Sequence, residues 1–354
     1  MIKLQAALAK IRIKLGVSSI SQMLSTECNR TEQMASKIPV YAWVNQLKMQ
    51  QFEVLDKLQR QGLQFVRKNK NLEMKEFGLC RQCPDLIIFA SGLREMVERM
   101  QLVADNVLIV QDKTTSLAVH SLVKNVFDDE EVLIVNPSSV WTAIHVENLL
   151  KMRNYKSPVV KVFKKCTPDQ LEEVQQALLS SGSDNYLVNE GGDIELILDY
   201  TKRLLQDSKP TNYLQLKFQT LQTLKHVLGS GRLRSAVYLT RSIYDEENEH
   251  IVDIALDAMN RLHVRDRKDP FDVAPTNLAI SGQDIDDKDV INGHYIKIPP
   301  SGNSNGCFVA LIIRQPREQA EMAGILNRCK EKGLVDYTET EDNRLPKSKK
   351  KGKK

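Results

Sequence analysis

A chain of 354 residues with 42% hydrophobic and 27% charged side chains has apolar material for two domains, or for one large α/β domain with an appendage, and is neither disordered nor collagen-like in composition. No run of 18 apolar residues occurs, and the start, Met1-Ile2-Lys3-Leu4-Gln5, lacks the apolar core and small-residue cleavage site of a signal peptide, so no membrane partner and an intracellular setting, nucleus or cytoplasm, are expected. The net charge of +5 is mild and much of it sits in the block Lys347–Lys354, while six irregularly spaced cysteines fit reduced thiols rather than a disulfide framework.

Apolar positions at helical spacing (Ile2, Leu4, Ala7, Leu8, Ile11, Leu15) and a second helical stretch to about Met34 predict a helical N-terminal region over 1–37. Strands at 38–44 and 85–89 flanking an amphipathic helix at 49–62 predict a small α/β module over 38–104. Beyond residue 105, candidate strands at 107–110, 132–135, 159–163, 194–198, 236–239 and 308–313 alternate with candidate helices at 115–123, 142–152, 168–181, 212–228, 246–260 and 317–331. Apolar strands separated by helices of this length predict a mostly parallel sheet over 105–335, with its chemistry in the loops that leave the carboxyl ends of the strands. Residues 336–354 read as a basic disordered tail.

Four stretches, in order between residues 39 and 313, carry a resemblance. Pro39-Val40-Tyr41-Ala42-Trp43-Val44-Asn45-Gln46-Leu47-Lys48 is similar to an entry strand R-V-N-T-L-K, with Trp43 in the arginine place. Val110-Gln111-Asp112-Lys113-Thr114-Thr115-Ser116 is similar to Q-D-x-A-S. Val237-Tyr238-Leu239-Thr240-Arg241-Ser242 followed by Glu246-Glu247-Asn248-Glu249 is similar to V-Y-S-T-C-S followed by P-x-E-N-E. Asn305-Gly306-Cys307-Phe308-Val309-Ala310 is similar to D-G-F-F-x-A. Together they resemble the Fmu/Sun/Nop (RsmB/NOP-type) family of RNA cytosine-5 methyltransferases, and the segments around Trp43, Asp112 and Cys307 look most like its divergent seventh animal branch. The resemblance implies a class I, Rossmann-like, S-adenosylmethionine-dependent methyltransferase domain preceded by a small α/β module that contributes to RNA binding. Relatives carry more chain before the region where this sequence starts, so a shortened or incomplete product is expected.

The family's reaction needs a cysteine thiolate to attack C6 of cytosine and a second cysteine to assist release. By resemblance the first stands at Arg241, which cannot form an adduct, and the second at Lys202. The glycine-containing turn that lets a backbone approach the methyl donor falls at Ser139-Val140, with Thr142 in the place of a lysine and Val140 in the place of the glycine. Lys165 stands where a carboxylate would hold the ribose, Asn185, beside Asp184, takes the next acidic place, and Asp199 is the one retained carboxylate. The expectation is a pseudo-methyltransferase with no intact catalytic residue and no useful S-adenosylmethionine binding. Its alternatives are a protein-interaction scaffold and an active cytosine-5 methyltransferase.

RNA is the expected partner, held at a basic rim of Lys164, Lys165, Lys202, Arg203 and Arg241 by contacts with backbone phosphate; the competing reading makes these ordinary solvated charges. No metal site is expected. Cys80-Arg81-Gln82-Cys83 has zinc-ligand spacing but no second pair, and His120 and His145, on predicted helices, read as packing residues.

Overall fold

The computed structural model describes residues 10, 13, 14 and 16 and then 37–67, 72–127, 130–135, 139–155, 158–163, 168–182, 186–189, 210–242, 244–276, 290–291, 294–298 and 306–316. The N-terminal helices, the strand at 194–198, the helix at 317–331 and the tail lie outside the described residues, apart from the four early positions.

The first sheet is built from β1 (Val40–Val44), β2 (Gln64–Phe65), β3 (Glu76–Leu79), β4 (Leu86–Phe89) and β5 (Leu108–Val110), in the order β2-β3-β4-β1-β5. All of its pairings are antiparallel except β2 with β3. Helix α1 (Gln51–Arg60) turns Val54 and Leu58 inward, one helical turn apart, and leaves Glu53, Lys57 and Arg60 toward water. It ends at Gly62, whose φ of +87° only glycine adopts freely, with Gly62 N–H and Leu63 N–H donating to the last helical carbonyls. The short helices α2 (Arg94–Glu98) and α3 (Gln101–Ala104) lead into β5.

The central strands β1 and β4 are buried on both faces, and the two-residue period of a strand shows how. Val40, Ala42 and Val44 of β1, with Ile87 and Phe89 of β4, pack on Val54 and Leu58 of α1. The intervening Tyr41 and Trp43, with Leu86 and Ile88, face a second core that contains Leu117, Ile144, Ile296, Cys307 and Val309 from the rest of the chain. The strand at 107–110 was expected to open the parallel sheet. It instead pairs antiparallel with β1 and closes the first sheet, because sheet membership depends on tertiary pairing that a short apolar run does not encode.

Two helices fill the space between the halves: α4 (Lys113–Val123) and α5 (Trp141–Met152). Asp112 caps α4 by accepting from Thr115 N–H at 3.0 Å. Nearly every residue of α4 is buried, Leu117 and Ala118 in the core shared with the first sheet and Val119 and Val123 toward β6 (Val132–Val135) and β7 (Val160–Phe163), which are joined by β8 (Tyr186–Asn189). These three strands are parallel, in the order β6-β7-β8, followed by α5, α6 (Pro168–Ser181) and a return that includes α7 (Pro210–Gly229).

The third sheet departs from the expected parallel arrangement. Strand β13 (Cys307–Arg314) lies antiparallel to β9 (Ser235–Thr240) on one edge and to β10 (Phe271–Ala274) and β12 (Tyr295–Ile298) on the other, and β11 (Val290–Ile291) pairs with β12. Phe308, Ala310 and Ile312 face helices α7 and α8 (Glu249–Arg265), while Cys307 and Val309 face the core shared with Trp43. Mixed sheets with helices between them make this an α/β protein. Among the described pairings, antiparallel ones predominate, in the first sheet and wherever β13 meets its neighbours.

Candidate functional site

The stretches that carried the resemblance converge where β9 and β13 end against α4. The register that sets Phe308 opposite Thr240 brings Cys307 to the level of Arg241. The Arg241 guanidinium donates to Asp112 Oδ2, so the residue that the resemblance sets in the thiol's place is ion-paired with the carboxylate that caps α4. Asp112 Oδ2 also accepts from Thr114 Oγ1 at 2.9 Å.

Beside Arg241, Thr240 Oγ1 donates to Asn248 Oδ1 at 2.7 Å and accepts from Ser242 N–H at 3.0 Å, and Asn248 Nδ2 donates to the Ser242 carbonyl at 3.0 Å. The Thr-Arg-Ser and Glu-Asn-Glu stretches therefore form one hydrogen-bonded latch. Asp245, three residues beyond Ser242, pairs with Lys297, and Lys297 also contacts Glu249. Cys307 is buried, and burial reinforced by the Asp112 carboxylate pushes its thiol up to about 12. A thiol so held stays protonated and is a poor nucleophile.

At the turn where the resemblance expects the methyl donor, Ser139 occupies the N-terminal end of α5 in two ways. Its Oγ accepts from Trp141 N–H at 3.3 Å and its carbonyl accepts from Thr142 N–H at 3.1 Å. Val140 sits in right-handed helical geometry and packs, with Trp141, against the core around Trp43. Lys164, Lys165, Asp184, Asn185, Asp199, Lys202 and Arg203 lie outside the described residues.

A second constellation spans both halves of the molecule and had no sequence motif. Asp85, just before β4, is buried between His120 of α4 and His145 of α5. His120 Nε2 lies 2.6 Å from Oδ1, and His145 Nε2 lies 2.7 Å from Oδ2. Gln111 Nε2 donates to His145 Nδ1 at 3.0 Å, and the indole of Trp43 stacks on the His145 ring at 4.4 Å and 2°. Burial opposes ionisation of Asp85, but attraction to and hydrogen bonds from the two imidazoles outweigh it and hold the carboxyl well below its usual range. Burial pushes His145 down against the pull of Asp85 and keeps its ring neutral. Both histidines had been read as packing residues. They do lie on helices and are buried, but each spends a ring nitrogen on the same carboxylate.

Close by, Cys80 and Cys83 are buried free thiols in the β3–β4 connection. The Cys83 hydrogen bond lowers Cys80, and burial raises Cys83.

Mixed sheets, the helices between them and the converging stretches define an α/β protein of a build consistent with a methyltransferase. In sequence, the chain is similar over 95% of its length, at 28% identity, to the mouse (Mus musculus) protein named "Putative methyltransferase NSUN7", and over 96%, at 29% identity, to the human (Homo sapiens) protein of that name. Each comparison covers 51% of the relative, so the chain spans about half the length of the curated relatives it matches. No protein-family profile matches the chain. The Sun-type resemblance read from four stretches thus extends along nearly the whole sequence. No described helix is long and apolar enough to cross a membrane.

Proposed function

We propose that the chain is a pseudo-methyltransferase: a class I, Rossmann-like domain behind a small α/β module, retained for binding RNA and not for methylating it. The observation that carries this reading is the Arg241–Asp112 pair. A guanidinium cannot replace the thiolate in attack on C6, and here it is committed to the cap of a buried helix.

S-adenosylmethionine is the cofactor the resemblance implies, and the described part of the donor site does not fit it. A donor-binding turn presents free N–H groups and a bare backbone. Here the N–H groups of Trp141 and Thr142 are taken by Ser139, and Val140 places a branched side chain at the turn. Titration of the protein with S-adenosylmethionine in a calorimeter is expected to give no low-micromolar binding; such binding would restore the active-enzyme reading.

For RNA, the pairing of Arg241 changes the expected rim. Its charge is spent on Asp112, so the phosphate contacts fall to Lys164, Lys165, Lys202 and Arg203. Each phosphate contact contributes roughly 0.7 to the salt slope of single-strand binding. A Lys165→Ala, Lys202→Ala variant should bind RNA with a slope smaller by about 1.4, and Arg241→Ala alone should leave the slope unchanged. An unaltered slope in the double variant would remove the cleft as an RNA site and leave the protein-scaffold reading ahead.

A further inference from the structure

We propose that Asp85, His120 and His145 form a metal site that holds one zinc ion and ties the first sheet to helices α4 and α5. Three ligand-capable atoms, the two Nε2 and a carboxylate oxygen, lie within 4.8 Å of one another, and all three residues are buried. Two imidazoles and one carboxylate make a nitrogen-and-oxygen donor set that suits zinc, with a fourth position left for water.

Charge supports the assignment. Asp85 is 3% exposed, and its side-chain partners are imidazoles rather than lysine or arginine. A buried carboxylate whose partners are two imidazole nitrogens, with no lysine or arginine on it, offers a divalent ion a negative ligand in a medium that screens poorly.

The surroundings are those of a prepared site. Metal-bound histidines are ordinarily oriented through their other ring nitrogen. Gln111 holds Nδ1 of His145, and turning its amide end for end offers Oε1 as acceptor to an Nδ1–H, which leaves Nε2 free to bind metal. Trp43 fixes the plane of the same ring. Two ligands on one zinc stand roughly 3.4 Å apart, so the 2.6 and 2.7 Å nitrogen–oxygen contacts would open by less than about 1 Å each while the three ligand atoms, now within 4.8 Å, gather round the ion.

The consequence is mechanical. Asp85 belongs to the β3–β4 connection, and His145 lies one turn into α5, the helix that begins at the donor turn. An ion here sets the position of α5, and with it Val140 and Thr142, relative to the first sheet. This assignment stands whether or not the protein methylates RNA.

The test is metal analysis of the full chain, purified, treated with chelator, then dialysed against zinc chloride. About one zinc per chain is expected, with a rise in thermal midpoint on zinc addition. Asp85→Asn and His145→Gln should each weaken zinc at least tenfold, whereas Cys80→Ser with Cys83→Ser should retain it. Cobalt substitution of the unmutated chain reads the donor set without relying on variants that must fold: a tetrahedral visible band with no thiolate charge-transfer band is expected. Absence of bound zinc together with an unchanged midpoint overturns the proposal, and so does a thiolate band or loss of zinc in the double serine variant, either of which would move the site to Cys80 and Cys83.

Discussion

Arg241 and Asp112 are 129 positions apart and share an ion pair that closes the meeting point of β9, β13 and α4. Asp112 does two jobs at once. Its Oδ1 caps α4 through Thr115 N–H, and its Oδ2 receives Thr114 and the guanidinium. Arg241 therefore carries a structural load at the position where relatives are expected to carry a thiol.

The two residues should not be equal in stability. Arg241→Ala removes a half-buried ion pair and should cost at most about 1 kcal/mol, since solvent discounts the charge interaction. Asp112→Ala removes that pair and the helix cap and should cost about 2 kcal/mol. Urea unfolding of both variants checks the order; an equal or reversed loss would mean that the cap is supplied by another group.

Returning both thiols should not return methylation. Arg241→Cys with Lys202→Cys supplies the attacking and releasing groups, yet leaves Ser139 holding the N–H groups of the donor turn and Val140 in the glycine place. No 5-methylcytosine is expected in RNA incubated with this variant and S-adenosylmethionine. The unmutated chain should form no denaturant-resistant adduct with 5-azacytidine RNA, because burial keeps the nearby Cys307 protonated. Product or adduct would show that the donor pocket works or that another thiol attacks.

Elements with strong local signals were legible in the sequence. The apolar run Val132–Val135 and the helix Pro168–Ser181 were placed to the residue, since a short β-branched strand and a periodic helix carry their signal locally. The strands Glu76–Leu79 and Tyr295–Ile298 were missed: each has four residues and contains a charge, and the first also a glycine. Partner choice was not legible either. Nothing local says that Leu108–Val110 pairs with β1, or that Arg241 meets Asp112. The Asp85–His120–His145 cluster was invisible because its members come from a loop and two helices at spacings of 35 and 25, which match no motif.

Trp43 stands where the resemblance expects an arginine, and its setting explains why an arginine is not tolerated here. Its side chain is fully buried, stacked on His145, and its Nε1–H meets no hydrogen-bond partner among the described residues. Trp43→Phe keeps a ring against the imidazole and removes the unpaired donor, so a loss of about 1–2 kcal/mol is expected from the lost volume. Trp43→Arg buries a cation beside a neutral histidine and should cost about 4 kcal/mol or more. Chemical denaturation with far-ultraviolet detection compares them; equal stability of the two variants would mean that the residue 43 pocket opens to water.

The buried histidine predicts the direction of acid sensitivity. His145 is faced by Asp85, His120, Gln111 and the Trp43 ring, and burial holds its pKa below the ordinary value of 6.5. As pH falls below 6.5 the unfolded chain takes up a proton at this residue before the folded chain does, so stability is lost from there downward until the folded ring also titrates. Asp85 acts in the same sense at lower pH: its carboxyl is held below 3.8 when folded, so its contribution is present above 3.8 and is lost as pH falls through the depressed folded value. Each proton taken up only by the unfolded state lowers stability by about 1.4 kcal/mol per pH unit. Urea midpoints of chelator-treated protein should therefore decline as pH falls below 6.5. His145→Gln, which cannot titrate but still offers an amide donor to Asp85, should start less stable at pH 7 and decline less steeply over the same range. Equal slopes for the two proteins would assign the acid sensitivity to other groups and show that His145 is as easily protonated in the fold as in water.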